Sequence, residues 1–428
     1  MSIPRHVINI WKKPRQAIGG TSGAPVPNDG LQAQYTAYAY EHTYLSIGGA
    51  DTARCTVAVT PLEGDEIYWN YVGNRVTITV DNPIAPIFEG YIESVAIADG
   101  ATKRVRSIAD MANAVSVTYF AGGASAQATM ATDAASVAEY GTKQKTFDAG
   151  NKNASGAAFA TALRNRKLAD LAQPLESFAP NSGGGFSIDI TMKGLYHTFD
   201  WLSFEVSNTT FAYAPPAAPA TLEDANTCVV RYVLGTALIG NVFTNPNGSS
   251  TTGNGTGIFY NDLDASSPFI TTAAGWSRTK ERRGGQTASQ YLQETVEAGD
   301  GTNRRVIGIT STNFSTGLRT IYYVAANTDV EYTTDPAGTS RILDTYSKPV
   351  RAWVVRPDRQ IRIVNASVGR SFAGTNTKYI SKVQYKSESQ EIIWTTESDL
   401  TLDGTLGIGT YTKTAGSAAN SAQPRQFY

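Results

Sequence analysis

Cysteine and histidine are scarce in this chain, with two of the first and three of the second among 428 residues. Cys55 and Cys228 are too few and too far apart for a disulfide framework, and they read as two buried free thiols. His6, His42 and His197 each stand alone, without metal-ligand spacing and without a neighbouring cysteine, which argues against a zinc site. Charge is sparse too. Charged residues make up 17%, against about 25% in an average soluble protein, and their signs nearly cancel to a net −1. Such a balance creates no long-range field for nucleic acid or an anionic membrane. No run approaches the roughly 18 apolar residues of a spanning helix, so no membrane span is expected. The opening MSIPRHVINIWKKPRQ spaces its charges too closely for an apolar signal core.

Turn formers and tyrosine are plentiful: 39 Gly, and 22 Tyr against 15 Phe. These point to a β-rich chain with many turns, long enough for two to four domains. Arg75–Tyr119 is the most informative stretch. Val76, Ile78 and Val80 alternate with Thr77, Thr79 and Asp81, the pattern of a half-buried strand that Asn82-Pro83 and Pro86 interrupt. A second strand runs through Phe88, Tyr91, Ile92, Val95 and Ile97, and Asp99-Gly100 supplies a hairpin turn. The chain returns as Arg104-Val105-Arg106. Ser107, with Asp110 three residues on, predicts a helix of one or two turns, and Val115–Tyr119 a closing strand.

Residues 1–30 form an N-terminal arm, one strand at Val7–Trp11 followed by a Gly/Ser/Pro stretch. Residues 31–120 read as an antiparallel barrel or sandwich, with further strands at Thr36–Tyr40, Ala53–Val59 and Asp65–Trp69. Residues 121–215 are α+β. Asp133 caps a short helix ended by Gly141, and a longer helix over 154–172 shows Ala158, Phe159, Ala162 and Leu163 on its packing face. Strands follow at Phe186–Ile190 and Tyr196–Trp201, then a proline-rich connector at Ala214–Ala220. Residues 216–340 form a second α+β region. It holds the polar loop Thr244–Gly257, a capping box at Thr287–Gln290, and strands near Arg304, Leu318 and Asp329. Residues 341–409 alternate again, at Gln360–Val364, Tyr379–Lys386 and Glu391–Thr396. Residues 410–428 are a flexible C-terminal tail.

Chemistry-bearing patterns are few. His197 lies between Tyr196 and Phe199 and reads as packing. No serine occupies a G-x-S-x-G elbow, and Gly253, Gly255 and Gly257 lack the strand-to-helix context of a phosphate loop. Asp262 with Asp264, and Glu294 with Glu297, are close enough in sequence for paired-carboxylate chemistry, but a loop turn and a solvated helix face account for them. Arg278, Lys280, Arg282 and Arg283, with Arg304 and Arg305 downstream, suit a loop that meets an acidic patch on a neighbouring subunit. Aromatics do not interleave them, so no direct nucleic-acid recognition is expected. No catalytic, cofactor-binding or metal-binding residue is assigned, and no cofactor.

The succession of pieces resembles the tail hub and baseplate hub proteins of bacteriophages. The F-E-G-Y-I strand (Phe88–Ile92) and the segment Ser107–Tyr119 are similar to the first tube domain and its exit. Asp133–Lys143, the strand pair Ile190–Trp201, Thr287–Asp300, Val350–Ile363 and Tyr379–Tyr385 follow in the corresponding order. The resemblance implies a mainly β fold with an inserted α+β region, in which two tube-like antiparallel β-barrel domains, 31–120 and 341–409, flank the insertion. It implies a non-enzymatic structural protein of the virion tail, a homotrimer that joins the tail tube to the tip. Its partners would be distal tail or tail-tube ring proteins, the tape-measure protein, and tail fibre or spike proteins. Two alternatives are a receptor- or glycan-binding tip protein using Tyr260, Phe269 and Trp276, and a tail-associated hydrolase using Asp262.

Overall fold

The computed structural model describes residues 5–11, 31–80, 86–121, 124–150 and 156–201, with shorter stretches beyond, among them 376–389 and 391–397. In chain order the elements are β1 (His6–Trp11), β2 (Leu31–Leu45), β3 (Ile47–Val57), α1 (Pro61–Asn70), β4 (Arg75–Val80), β5 (Phe88–Asp99) and β6 (Thr102–Ser107). There follow β7 (Ala114–Ala121), β8 (Ala124–Thr132), α2 (Ala134–Tyr140), β9 (Gln144–Asp148), α3 (Gly156–Leu171), β10 (Leu175–Pro180), β11 (Phe186–Gly194) and a 3-10 helix at Leu195–Trp201.

Six strands close into an antiparallel barrel in the order β1-β2-β3-β11-β5-β4 and back to β1. Closure removes the sheet edges that an open β-structure would expose. Strand periodicity fills the interior. Ile188, Ile190 and Met192 of β11 are fully buried. They lie opposite Val57, Cys55 and Ala53 on one side and Ile97, Val95 and Ile92 on the other. Cys55 is a free thiol in this core, and burial pushes its pKa up. The mainly β class with one closed barrel is thus the observed architecture, and an α+β insertion is compatible with it. Of the second barrel expected over 341–409, the described strands Asn376–Lys386 and Glu391–Glu397 continue from β2 and share this barrel's core.

Two strands are longer than the barrel. On one flank β5 pairs with β4 through Tyr91 and with β6 from Ser94 onward. The hairpin to β6 turns at Gly100, as its sequence predicts, with φ +56°. β2 behaves alike, pairing with β1 up to Ala37 and with the C-terminal strand Asn376–Lys386 from Glu41. Ala39 sits at this exchange in a bulge and has φ +46°, the only positive φ outside glycine among the described residues. The C-terminal hairpin, completed by Glu391–Glu397, adds Ile380, Val383, Tyr385, Ile392 and Trp394 to the barrel's own core. Tyr385 reaches His6 in β1, Oη to Nε2 at 3.3 Å, so β1 and the strand Asn376–Lys386 share one interior.

Several local expectations change. Asp65–Trp69, expected as a strand, lies in α1. Thr60 and Glu63 form a capping box, Pro61 opens the helix, and Gly64, Ile67 and Tyr68 recur at helical spacing on the buried face. A Cβ at position 64 would run into Ile188 and Phe186, so glycine sets how closely α1 approaches β11. β4 is buried on both faces. Its threonines are hydrogen-bonded across strands, Trp11 Nε1 to Thr77 Oγ1 at 3.1 Å and Asn9 Nδ2 to Thr79 Oγ1 at 3.4 Å. Ser107 caps a turn, accepting from Ala109 N at 3.1 Å, where a short helix was expected.

β7 leaves the barrel and joins a separate sheet in the order β8-β7-β9. The capped helix α2 lies where expected, with Ser136 N donating to Asp133 Oδ1 at 2.9 Å. Asn113 anchors this unit, its Oδ1 accepting from Lys143 N at 2.7 Å and its Nδ2 donating to Gly141 O at 2.8 Å. α3 packs on the small sheet through Gly156 and Ala160, against Tyr119 and Val117. Ala158, Phe159 and Ala162, expected on its packing face, are exposed instead. Only small residues let the helix come so close to the sheet. No helix among the described residues is long and apolar enough to cross a membrane.

Candidate functional site

The groove between the barrel rim and the small sheet, about 710 Å³ in volume, is lined by Glu93, Lys143, Lys145, Asp148, Lys193 and Asp200 together with His197. The rim is shaped by two glycines. A Cβ on Gly90 would run into the Lys193 carbonyl, and one on Gly194 into that of Ala50, so β11 crosses its neighbours at a distance only glycine allows. The chain then tightens into the 3-10 helix. That helix buries Leu195, Tyr196, Thr198 and Phe199 and presents His197, Asp200 and Trp201 to the groove. Tyr196–Trp201 is therefore not the strand its alternation suggested.

His197 is held at both ring nitrogens. Nε2 lies 2.7 Å from Asp51 Oδ1 on β3, and Nδ1 lies 3.2 Å from Asp200 Oδ2. Burial alone would lower its pKa, but the hydrogen bonds to Asp200 and Asp51 outweigh that and push it up to about 9. The two carboxyls are held below their usual range, since the bonds to His197 overcome their own burial. Ser289 donates to the other oxygen of Asp200, which ties the inserted helix start to the rim. That helix start carries the expected capping box, with Thr287 N donating to Gln290 Oε1 at 3.0 Å and Gln290 N to Thr287 Oγ1 at 3.2 Å.

Lys143 forms the groove's inner wall. Its ammonium donates to the Ile108 carbonyl and stands 4.8 Å from the centre of the Trp201 ring, while Tyr91 meets that ring edge-on at 5.1 Å. Burial pushes its pKa down to about 8, against the pull of Glu93 and Asp110.

Chemically, this is a clamp. An imidazolium that donates from both nitrogens has no lone pair with which to take a proton, so His197 is not placed as a general base. The nearby hydroxyl, Ser289, is turned to Asp200 and not to the histidine. Among the described residues no group of three His, Cys, Asp or Glu is arranged to hold a metal ion.

The residues singled out from the sequence scatter. His6 and His42 lie in the barrel core beside Tyr40, with Tyr40 Oη 2.9 Å from His42 Nδ1. Arg278 lies in a short strand opposite Glu223, and Tyr260 and Arg305 lie in strands as well. Cys228, Asp262, Asp264, Phe269, Trp276, Lys280, Arg282, Arg283, Glu294, Glu297, Arg304 and the loop Gly253–Gly257 fall outside the described residues. His197, taken for packing, is the residue on which the site turns. The available signal was an acidic residue three positions on, Asp200, after a glycine-ended strand. Comparison of the chain with protein-family models, curated proteins and solved structures finds no match.

Proposed function

We propose that the chain is a structural component of a bacteriophage tail: the hub that forms a trimeric ring and joins the tail tube to tip or fibre proteins. The observation that carries this reading is the barrel whose longest strands outrun it. β2, 15 residues, and β5, 12 residues, each trade a barrel neighbour for an outside strand, so the wall continues beyond the cylinder. Rings of subunits are built where sheets continue from one copy to the next, and a closed ring needs no catalytic group. The clamp at His197 fits a structural role, since it braces an insertion against the barrel rim. The placement in the virion rests on the order of segments, which resembles that of tail hub proteins. Tube-ring, tape-measure and fibre or spike proteins are the partners this role requires. Native mass spectrometry of the purified chain tests it. A trimer is the expected species, and a strict monomer at every concentration overturns the reading.

A further inference from the structure

β10 ends the sheet on the β5 flank. It pairs with β6 from Leu175↔Ser107 to Pro180↔Thr102, and among the described residues it has a strand neighbour on that side only. Glu176 through Pro180 are all exposed, Phe178 at 70%. An unpaired edge that carries an exposed aromatic is a template on which another strand can add. The register shows which backbone groups face outward. Asn181 N donates to Ala101 O at 2.8 Å, one pair beyond Pro180↔Thr102. Backbone groups alternate along an antiparallel pair, so Leu175, Ser177 and Ala179 turn theirs to β6, while Glu176, Phe178 and Pro180 turn theirs outward. Proline has no N–H to offer a new strand, and Pro180 stands at an outward position. Two residues before Glu176 stands a second proline, Pro174, which is buried. The free edge is therefore a short window from Glu176 to Phe178, closed at both ends. Within it Glu176 brings a carboxylate, held by Arg106 at 2.8 Å.

We propose that β10 is a guarded edge, which stops the sheet of the barrel wall and keeps a second copy of this chain from adding a strand there. Two copies meeting antiparallel about Phe178 would set each Glu176 against the other copy's Pro180, where the Glu176 carbonyl finds no donor. Centring the pair on Ser177 instead would set Pro180 against Pro174. Either register meets a proline, and a charge on the edge disfavours both. This inference stands on the strand's own geometry, independent of the tail assignment. It removes the β5 flank from the edges by which a ring of copies could continue its sheet.

The test compares the full chain with Pro180→Ala and Pro180→Thr, which both restore the outward N–H, and with Ala179→Thr, whose N–H faces β6. Whatever species the wild type forms in native mass spectrometry is the baseline. Both Pro180 variants should add a dimeric step to it, with self-association tightened about tenfold by the two symmetry-related hydrogen bonds regained. Their near-ultraviolet circular dichroism should match the wild type, since Pro180 is exposed and gives no backbone bond to β6. Hydrogen exchange should find the Glu176 and Phe178 amides fast in the wild type at every concentration, and slowed in both Pro180 variants as concentration rises. Ala179→Thr should behave as the wild type. Pro180 variants that associate no more than the wild type overturn the proposal. So does equal association of Ala179→Thr, which would make strand preference and not the missing donor the cause. Wild-type edge amides that slow with concentration overturn it as well, because the edge would then already be in use.

Discussion

Replacing His197 with glutamine isolates the rim clamp, because glutamine keeps a hydrogen-bond donor near Asp51 but carries no charge. The folded-state pKa lies above the ordinary value, about 9 against 6.5. The clamp's contribution is therefore complete below about pH 6.5 and fades as pH rises through 9, where the folded histidine loses its proton. The rise converts to about 3 kcal/mol, and the half-exposed Asp200 carboxylate, at 49%, draws the figure toward about 2 kcal/mol. Urea unfolding of both proteins from pH 6 to 10 reads this directly. Lys143, held down at about 8, titrates in the same window with opposite sign, but it is common to both proteins and cancels in the difference. The stability gap should shrink by about 2–3 kcal/mol between pH 6.5 and 9.5. A gap that stays constant across that range refutes a charged clamp.

Three further outcomes follow from the same geometry. Lys143→Met removes a cation that burial disfavours, and should raise stability at pH 7 by about 1–2 kcal/mol in chemical unfolding, with the gain vanishing toward pH 10. Ala39→Gly relieves the positive φ of the exposed bulge in β2 and should stabilise by about 0.5–1 kcal/mol, read as a higher melting temperature. Glu89→Leu removes the carboxylate bonded at 2.8 Å to buried Arg75, which also stacks 5.0 Å over Trp11, and should cost about 3 kcal/mol in urea unfolding.

What the sequence disclosed was local. β5 and its turn at Gly100 were legible because strand alternation and a positive-φ turn are decided within a few residues. The helices capped by Asp133 and by Thr287 were legible for the same reason. Asp65–Trp69 misled because five residues are too few to separate the two periods. The capping box at Thr60 and Glu63, with Pro61 behind the cap, was the better guide and favours the helix. The outward face of α3 could not be read from hydrophobicity, since the constraint was close approach at Gly156 and Ala160. Barrel closure by β11 had no local signal either, because its neighbours β3 and β5 lie far back in the chain. The site shares that difficulty. Asp51 and His197 stand 146 positions apart and meet only once the barrel has formed.

The central claim is that this barrel is a ring-forming part of a tail. Electron cryomicroscopy of the virus particle, with the chain marked by an antibody fragment, tests it most directly. The account predicts three copies around a lumen on the tail axis, with the β1-to-β5 barrel lining the channel where the tube ends. Copies found away from the axis, or with no ring around a channel, would contradict it.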